Sequence, residues 1–246
     1  MKKVLITGAN KSIGFETARQ LLQKGYYIYL GSRSLEKGLA AVEKLKVEGL
    51  NNVEAVQIDV TDPDSVKAVR AEIGSKTEVL DVLINNAGIN GGLPQTALGA
   101  TIDQFQAVFD TNLYGVVRVT QAFIDLLKKS PEPRIVNVSS SQGSLTLASD
   151  PSNKYYHNKG AVYQSSKSAL NMYTIALAYE LRDTLVKVNM VDPGFVATDF
   201  NNHRGTGSVE EAGTRIAKYA FLIGKDGPTG KYISEEMNPE TGEIPW

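Results

Sequence analysis

Val4-Leu5-Ile6-Thr7-Gly8-Ala9-Asn10-Lys11-Ser12-Ile13-Gly14 carries an apolar run into a glycine-containing turn and then directly into a helix. Consecutive apolar residues in a strand mean burial on both faces, as in a parallel sheet. Gly8 and Gly14 let the backbone turn tightly and approach a pyrophosphate, while the N–H groups that open the helix receive its charge. Such a turn is common by itself. Its place after the first strand of a βαβ unit gives it weight.

The same alternation continues outward from this stretch. Strands are predicted at residues 4–7, 27–30, 53–58, 82–84, 134–138, 186–191 and near 231–233. Amphipathic helices are predicted at 13–23, 35–46, 65–73, 102–109, 113–127, 163–181 and 209–222. This order predicts an α/β fold: one doubly wound, mainly parallel, seven-stranded sheet with helices on both faces, in a single domain over residues 1–246. The irregular segments 88–99, 144–160 and 195–208 follow strands, where ligand sites of such sheets are built.

Composition narrows the classes of function. A chain of 246 residues with 42% hydrophobic content builds a sizeable core. A formal net charge of −1 points to neither nucleic acid nor an anionic membrane as partner. The absence of cysteine excludes disulfides, thiolate nucleophiles and Cys-ligated metals. His157 and His203 are far apart, so no metal site is expected. No apolar run has signal-peptide or membrane-spanning length, and a cytoplasmic protein is expected. Asn137-Val138-Ser139 fits the glycosylation sequon but sits in an apolar strand pattern, so we read it as coincidence.

Successive strand ends carry polar groups suited to a nucleotide. The second ends in Leu30-Gly31-Ser32-Arg33-Ser34, without the acidic residue that would chelate the ribose diol of NAD. A guanidinium pairs well with a phosphate, so Arg33 with Lys11 and Ser32 points to the 2′-phosphate of NADP. The third ends in Ile58-Asp59-Val60, with Asp59 near the adenine edge, and Asp62 reads as an N-cap before Pro63. The fourth ends in Asn85-Asn86-Ala87-Gly88. Farther on, Tyr163 and Lys167 share a helix face at i and i+4. A cation beside a phenol lowers its pKa from about 10 and makes it a usable proton donor.

Together these elements resemble the short-chain dehydrogenase/reductase family. The matching residues are Thr7–Gly14, Asp59-Val60, Asn85-Asn86-Ala87-Gly88, Asn112-Leu113-Tyr114-Gly115, Ser139-Ser140, Tyr163-x-x-x-Lys167 and Pro193-Gly194-Phe195-Val196-Ala197-Thr198. The turn Gly8-Ala9-Asn10-Lys11 and the ending Gly242-Glu243-Ile244-Pro245-Trp246 are most similar to its NADPH-dependent carbonyl reductase branch. The resemblance implies a Rossmann fold, NADP(H) as cofactor and a small carbonyl compound or alcohol as substrate. It implies a cofactor site of Gly8, Asn10, Lys11, Ser12, Ile13, Gly14, Ser32, Arg33, Asp59, Val60, Asn86, Ala87, Gly88, Tyr163, Lys167, Pro193, Gly194, Val196 and Thr198. It also implies a catalytic set. Ser140 bonds the carbonyl oxygen and Tyr163 delivers the proton. Lys167 holds the nicotinamide ribose and depresses the Tyr163 pKa, and Asn112 anchors a water that links Lys167 to solvent.

Two departures stand out. Ser12 replaces the second glycine of the turn. Ser140 and Tyr163 are 23 positions apart, about ten more than is usual in the family. The gap holds a second Tyr-x-x-x-Lys, Tyr155 to Lys159, but Pro151, Asn153, Asn158 and Gly160 make that stretch poor helix. Tyr163 is therefore the expected donor, with residues 144–160 an inserted loop beside the substrate mouth. Of three consecutive serines, Ser140 is preferred over Ser139 because Gly143 follows three residues later, as in the family. Residues 195–222 are expected to form a substrate lid, whose Phe195, Val196 and Phe200 suit non-polar carbonyl compounds. An insertion just before the Tyr163 helix would obstruct the family's usual tetramer contact, so a monomer is expected. A non-catalytic regulator that senses NADP is the alternative; it would lack the Tyr, Lys or Asn, and all three are present.

Overall fold

The computed structural model describes residues 1–221 and 227–246. Its strands are β1 (Lys3–Ile6), β2 (Tyr27–Ser32), β3 (Val53–Gln57), β4 (Val82–Asn85), β5 (Arg134–Val138), β6 (Lys187–Val191) and β7 (Tyr232–Ile233). They form one sheet in the order β3-β2-β1-β4-β5-β6-β7, and every pair is parallel, not merely most. The order reverses between β1 and β4, which is where a crevice opens at the carboxyl ends of the strands.

The helices are α1 (Ser12–Gln23), α2 (Leu35–Val47), α3 (Pro63–Lys76), α4 (Ile102–Phe109), α5 (Gly115–Leu127), α6 (Leu145–Ser149), α7 (Ala161–Glu180) and α8 (Val209–Phe221). Alternation along β1 explains the two cores. Val4 and Ile6 join Leu21 of α1, Leu45 of α2 and Ile216 of α8 on one face. Leu5 points the other way, to Val69 of α3, Phe123 of α5 and Leu177 of α7. Each fully buried apolar side chain of this size contributes about 1.5–3 kcal/mol.

Local chemistry sets the helix starts. Ser34 accepts from Lys37 N–H ahead of α2, and Asp62 accepts from Asp64 N–H ahead of α3, with Pro63 in the first turn. Thr101 and Gln104 form a reciprocal capping box on α4. Such caps contribute about 1 kcal/mol each. α1 differs: Lys11 at its N-cap supplies no side-chain hydrogen bond.

Most boundaries shift by one to three residues, the segment 144–160 expected as a loop opens with α6, and two changes bear on the site. The helix expected from residue 113 starts at Gly115, because Asp110–Tyr114 forms a π turn that continues α4 into α5. The lid expected over 195–222 divides at Val209. Ile216, Ala217 and Ala220 of α8 are buried against α1, so α8 is framework and only 195–208 crosses the crevice. Leu222, the expected end of that helix and lid, lies outside the described residues. Asn137 is fully buried in β5 and donates to Thr174 Oγ1 at 2.8 Å, which leaves the sequon without an accessible acceptor.

Candidate active site

One cleft of about 950 Å³ runs along the strand ends from Arg33 to Tyr163. It is lined by Gly8, Asn10, Lys11, Ser12, Ile13, Gly14, Arg33, Asp59, Val60, Asn86, Ala87, Gly88, Ser140, Tyr163, Lys167, Pro193, Gly194, Val196 and Thr198. Two residues expected at the site lie elsewhere. Ser32 is buried, and its hydroxyl donates to Ser34 O at 2.8 Å, so strand alternation turns it away from the cleft beside Arg33. Asn112 is also buried, behind the lining.

The glycine turn is built by close contacts. Gly8 has φ +64°, and a Cβ on Gly14 would lie 2.5 Å from Asn86 Nδ2 and 2.8 Å from Gly8 O. Asn86 clamps the turn, donating from Nδ2 to Thr7 O at 2.9 Å and Gly8 O at 3.0 Å. Thr7 Oγ1 in return accepts from Asn86 N–H and Ala87 N–H. Asn86 therefore borders the cleft while its amide holds β1 to β4. Ser12 adopts φ +52°, the left-handed conformation natural to the glycine it replaces, at a cost of about 1–2 kcal/mol.

At the far end, β5 presents Ser140. Ser139 is buried and donates to Asn171 Oδ1 at 2.6 Å, whereas Ser140 lines the cleft with Tyr163. Tyr232 of β7 fixes this point by donating to Ser140 O. Gly143 allows the turn after Ser140 to lie on α7, since a Cβ there would be 2.9 Å from Lys167 Cβ. Gln95 seats the start of α7: its Oε1 accepts from Tyr163 N–H at 2.9 Å and its backbone carbonyl from Ala161 N–H.

Lys167 is buried, its Nζ donating to Val138 O at 2.8 Å and lying 5.8 Å from the Tyr163 ring centre. Burial pushes its pKa down to about 8, against the opposing charge of Asp192. Burial likewise pushes the Tyr163 phenol up, Asp192 adds to this, and the nearby Ser140 hydroxyl partly offsets it. The depression expected from Lys167 is thus not what governs the phenol among the protein's own groups. Lys167 faces Val138 O, and desolvation dominates.

Asn112, in the π turn, accepts from Ile89 N–H at 2.8 Å and donates to Ile89 O and Ser166 Oγ. Both amide N–H donors go to protein, so its side chain acts as a clamp between the 88–99 loop and α7. Lys11 Nζ lies 2.7 Å from Asp199 Oδ2, pairing the glycine turn with the crossing segment. In the rejected motif, Tyr155 donates to Glu236 and Lys159 to Ala148 O, so the two do not form a pair.

Sequence reasoning missed Asp192, Gln95 and Gln142, all of which line the cleft. Asp192 is buried and accepts from Ser234 Oγ at 2.6 Å and Gly194 N–H at 3.0 Å, and burial raises its pKa. An acid directly before Pro193-Gly194 at a strand end was the available signal. Asn158, Lys159 and Gly160 bring the insertion to the cleft mouth. Among the described residues, no group of three His, Asp or Glu side chains is placed to hold a metal. No helix among them is long and apolar enough to cross a membrane.

The residues present fit a dinucleotide. The α1 N-terminus lacks a side-chain cap and opens on the cleft, the backbone at Gly14 leaves no room for a side chain, and basic groups stand at one end. A doubly wound parallel sheet with this crevice and a Tyr–Lys–Ser group defines a nucleotide-dependent oxidoreductase scaffold. The chain belongs to the short chain dehydrogenase family, whose model matches residues 2–208. Among its relatives, "Short-chain dehydrogenase anuI" of Penicillium roqueforti is 35% identical, over 95% of this chain and 94% of the relative. An Arabidopsis thaliana (+)-neomenthol dehydrogenase is 34% identical over 96% and 97%. Among solved structures, salutaridine reductase of Papaver somniferum superposes with a TM-score of 0.82 at 30% identity, covering 94% of this chain and 99% of that one. An NADPH-bound carbonyl reductase from chicken fatty liver gives 0.83 at 27% identity, covering 100% and 99%. The family uses nicotinamide cofactors, and the protein is an oxidoreductase of that family.

Proposed function

We propose that the protein is an NADPH-dependent reductase that converts ketone or aldehyde carbonyls to alcohols. One observation carries the reading: a continuous cleft joins Arg33 and Lys11 at one end to Ser140, Tyr163 and Lys167 at the other. Arg33, with Lys11 released from its exposed pairing with Asp199, would hold the 2′-phosphate, and the α1 N-terminus would receive the pyrophosphate. Asp59 would face the adenine, and Lys167 the nicotinamide ribose. A bound reduced nicotinamide supplies the hydride.

The chain's own residues do the rest. Ser140 orients the carbonyl oxygen and donates to the charge that develops on it. Tyr163, whose burial keeps it protonated at neutral pH, gives its proton to the same oxygen. The ammonium of Lys167 then stabilises the phenolate left behind. Phe200 packs edge-on to Tyr163 at 5.5 Å, and with Ile89 and Leu93 makes an apolar mouth suited to non-polar carbonyl compounds. A (+)-neomenthol dehydrogenase and a salutaridine reductase among the relatives agree with this class.

The test is loss of reduced-nicotinamide absorbance with a panel of ketones, comparing NADPH with NADH. The expected kcat/KM is at least about tenfold higher with NADPH, the scale of one charge-assisted phosphate contact. Equal or better rates with NADH would overturn the role given to Arg33 and Lys11.

A further inference from the structure

Glu236 follows β7 and belongs to no motif that the sequence singles out. Its side chain is 17% exposed and joins three segments distant in sequence. Oε1 accepts from Lys154 Nζ at 2.7 Å and from the Tyr155 hydroxyl, both in the insertion. Oε2 accepts from the Phe195 backbone N–H at 2.5 Å, where the chain begins to cross the cleft. The Tyr155 and Phe195 rings meet edge-on, with centres 6.0 Å apart and planes at 67°. From the other side, Arg215 donates to Pro193 O at 2.7 Å, so the turn is gripped at both ends. Burial alone would raise this carboxyl, but Lys154, Tyr155 and the Phe195 N–H outweigh it and hold Glu236 below the usual carboxylate range.

We propose that Glu236 is a positioning residue for the carbonyl substrate, clamping the insertion to the turn at Phe195 so that two walls of the substrate mouth keep one separation. This rests on the reductase reading above. Phe195 lines the cleft, as do Asn158 and Lys159 from the insertion, whereas Glu236 and Tyr155 do not. Their influence therefore passes through the walls and falls on substrate binding more than on proton or hydride transfer. A carboxylate suits the position because one oxygen serves each wall. A glutamine has one acceptor oxygen and satisfies a single wall.

The experiment uses the full chain with Glu236→Ala, Glu236→Gln, Tyr155→Phe and the Tyr155→Phe/Glu236→Ala double variant. It measures steady-state kinetics on a ketone the wild type reduces, and hydrogen exchange of the Phe195 amide. Glu236→Ala is expected to raise substrate KM about tenfold with kcat within about twofold, the pattern for loss of uniform binding through one charged hydrogen bond. Exchange at Phe195 is expected to accelerate. Tyr155→Phe should raise KM alone but add nothing in the Glu236→Ala background. Unchanged exchange at Phe195, or additive KM effects, would overturn the proposal. If Glu236→Ala does not fold, Glu236→Gln and the same exchange measurement decide. If the wild type reduces no ketone, the reductase reading falls, and the exchange result still judges the clamp.

Discussion

At Tyr163 two requirements oppose one another. A proton donor must hold its proton until the carbonyl arrives, and must then release it. Burial serves the first, pushing the phenol up; the second depends on Lys167 remaining a cation, which burial opposes. The lysine is thus the weaker member of the pair toward high pH. Its pKa is pushed down to about 8, so it is charged below that value and neutral above it. The expected outcome is that kcat/KM for reduction falls as pH rises through about 8. Tyr163, displaced in the opposite direction, stays protonated there and does not set the limb. A pH–rate profile checks this, and Lys167→Arg, which keeps its charge, should move the limb to higher pH.

The elements that hold the pair meet without spare volume. The turn after β5 lies directly on α7, and Gly143 is the point of contact. A Cβ there would come within 2.9 Å of Lys167 Cβ and 3.0 Å of Asn171 Nδ2. Gly143→Ala must therefore displace the first turns of α7 or the Ser140 strand end. The expected result is a stability loss of about 1–3 kcal/mol, seen in the urea midpoint, with kcat reduced at least about tenfold. Elements of this kind were legible because their signals are local. The period of α7 beyond Lys167, Gly160 ahead of it and the apolar run of β5 each stand in the sequence. The π turn at Asp110–Tyr114 was not, since one extra residue per turn hardly disturbs an apolar pattern that continues into α5. Ser32 was misjudged because residue type alone does not say which side of a strand end faces the cleft.

Over the whole molecule, a doubly wound seven-stranded sheet was readable from strand–helix alternation, and so was the line of polar strand ends, whereas the strand order was not. Contacts between remote segments were not. Asp192 meets Ser234, Tyr232 reaches Ser140, and Glu236 joins the insertion to Phe195, each linking the last part of the chain to the site. No local pattern announces these pairings, because each depends on where β7 enters the sheet. They put the less ordinary features of this protein around the mouth of the cleft. The most direct measurement is therefore single-turnover reduction of a ketone by Tyr163→Phe and Tyr155→Phe with saturating NADPH. With the ketone also saturating, Tyr163→Phe is expected to bind NADPH as the wild type does and to lose about 10²–10⁴-fold in rate, the range for removing a positioned general acid, while Tyr155→Phe, whose effect falls on KM, keeps its rate. Unimpaired turnover by Tyr163→Phe, or loss of rate in Tyr155→Phe instead, would contradict Tyr163 as the proton donor.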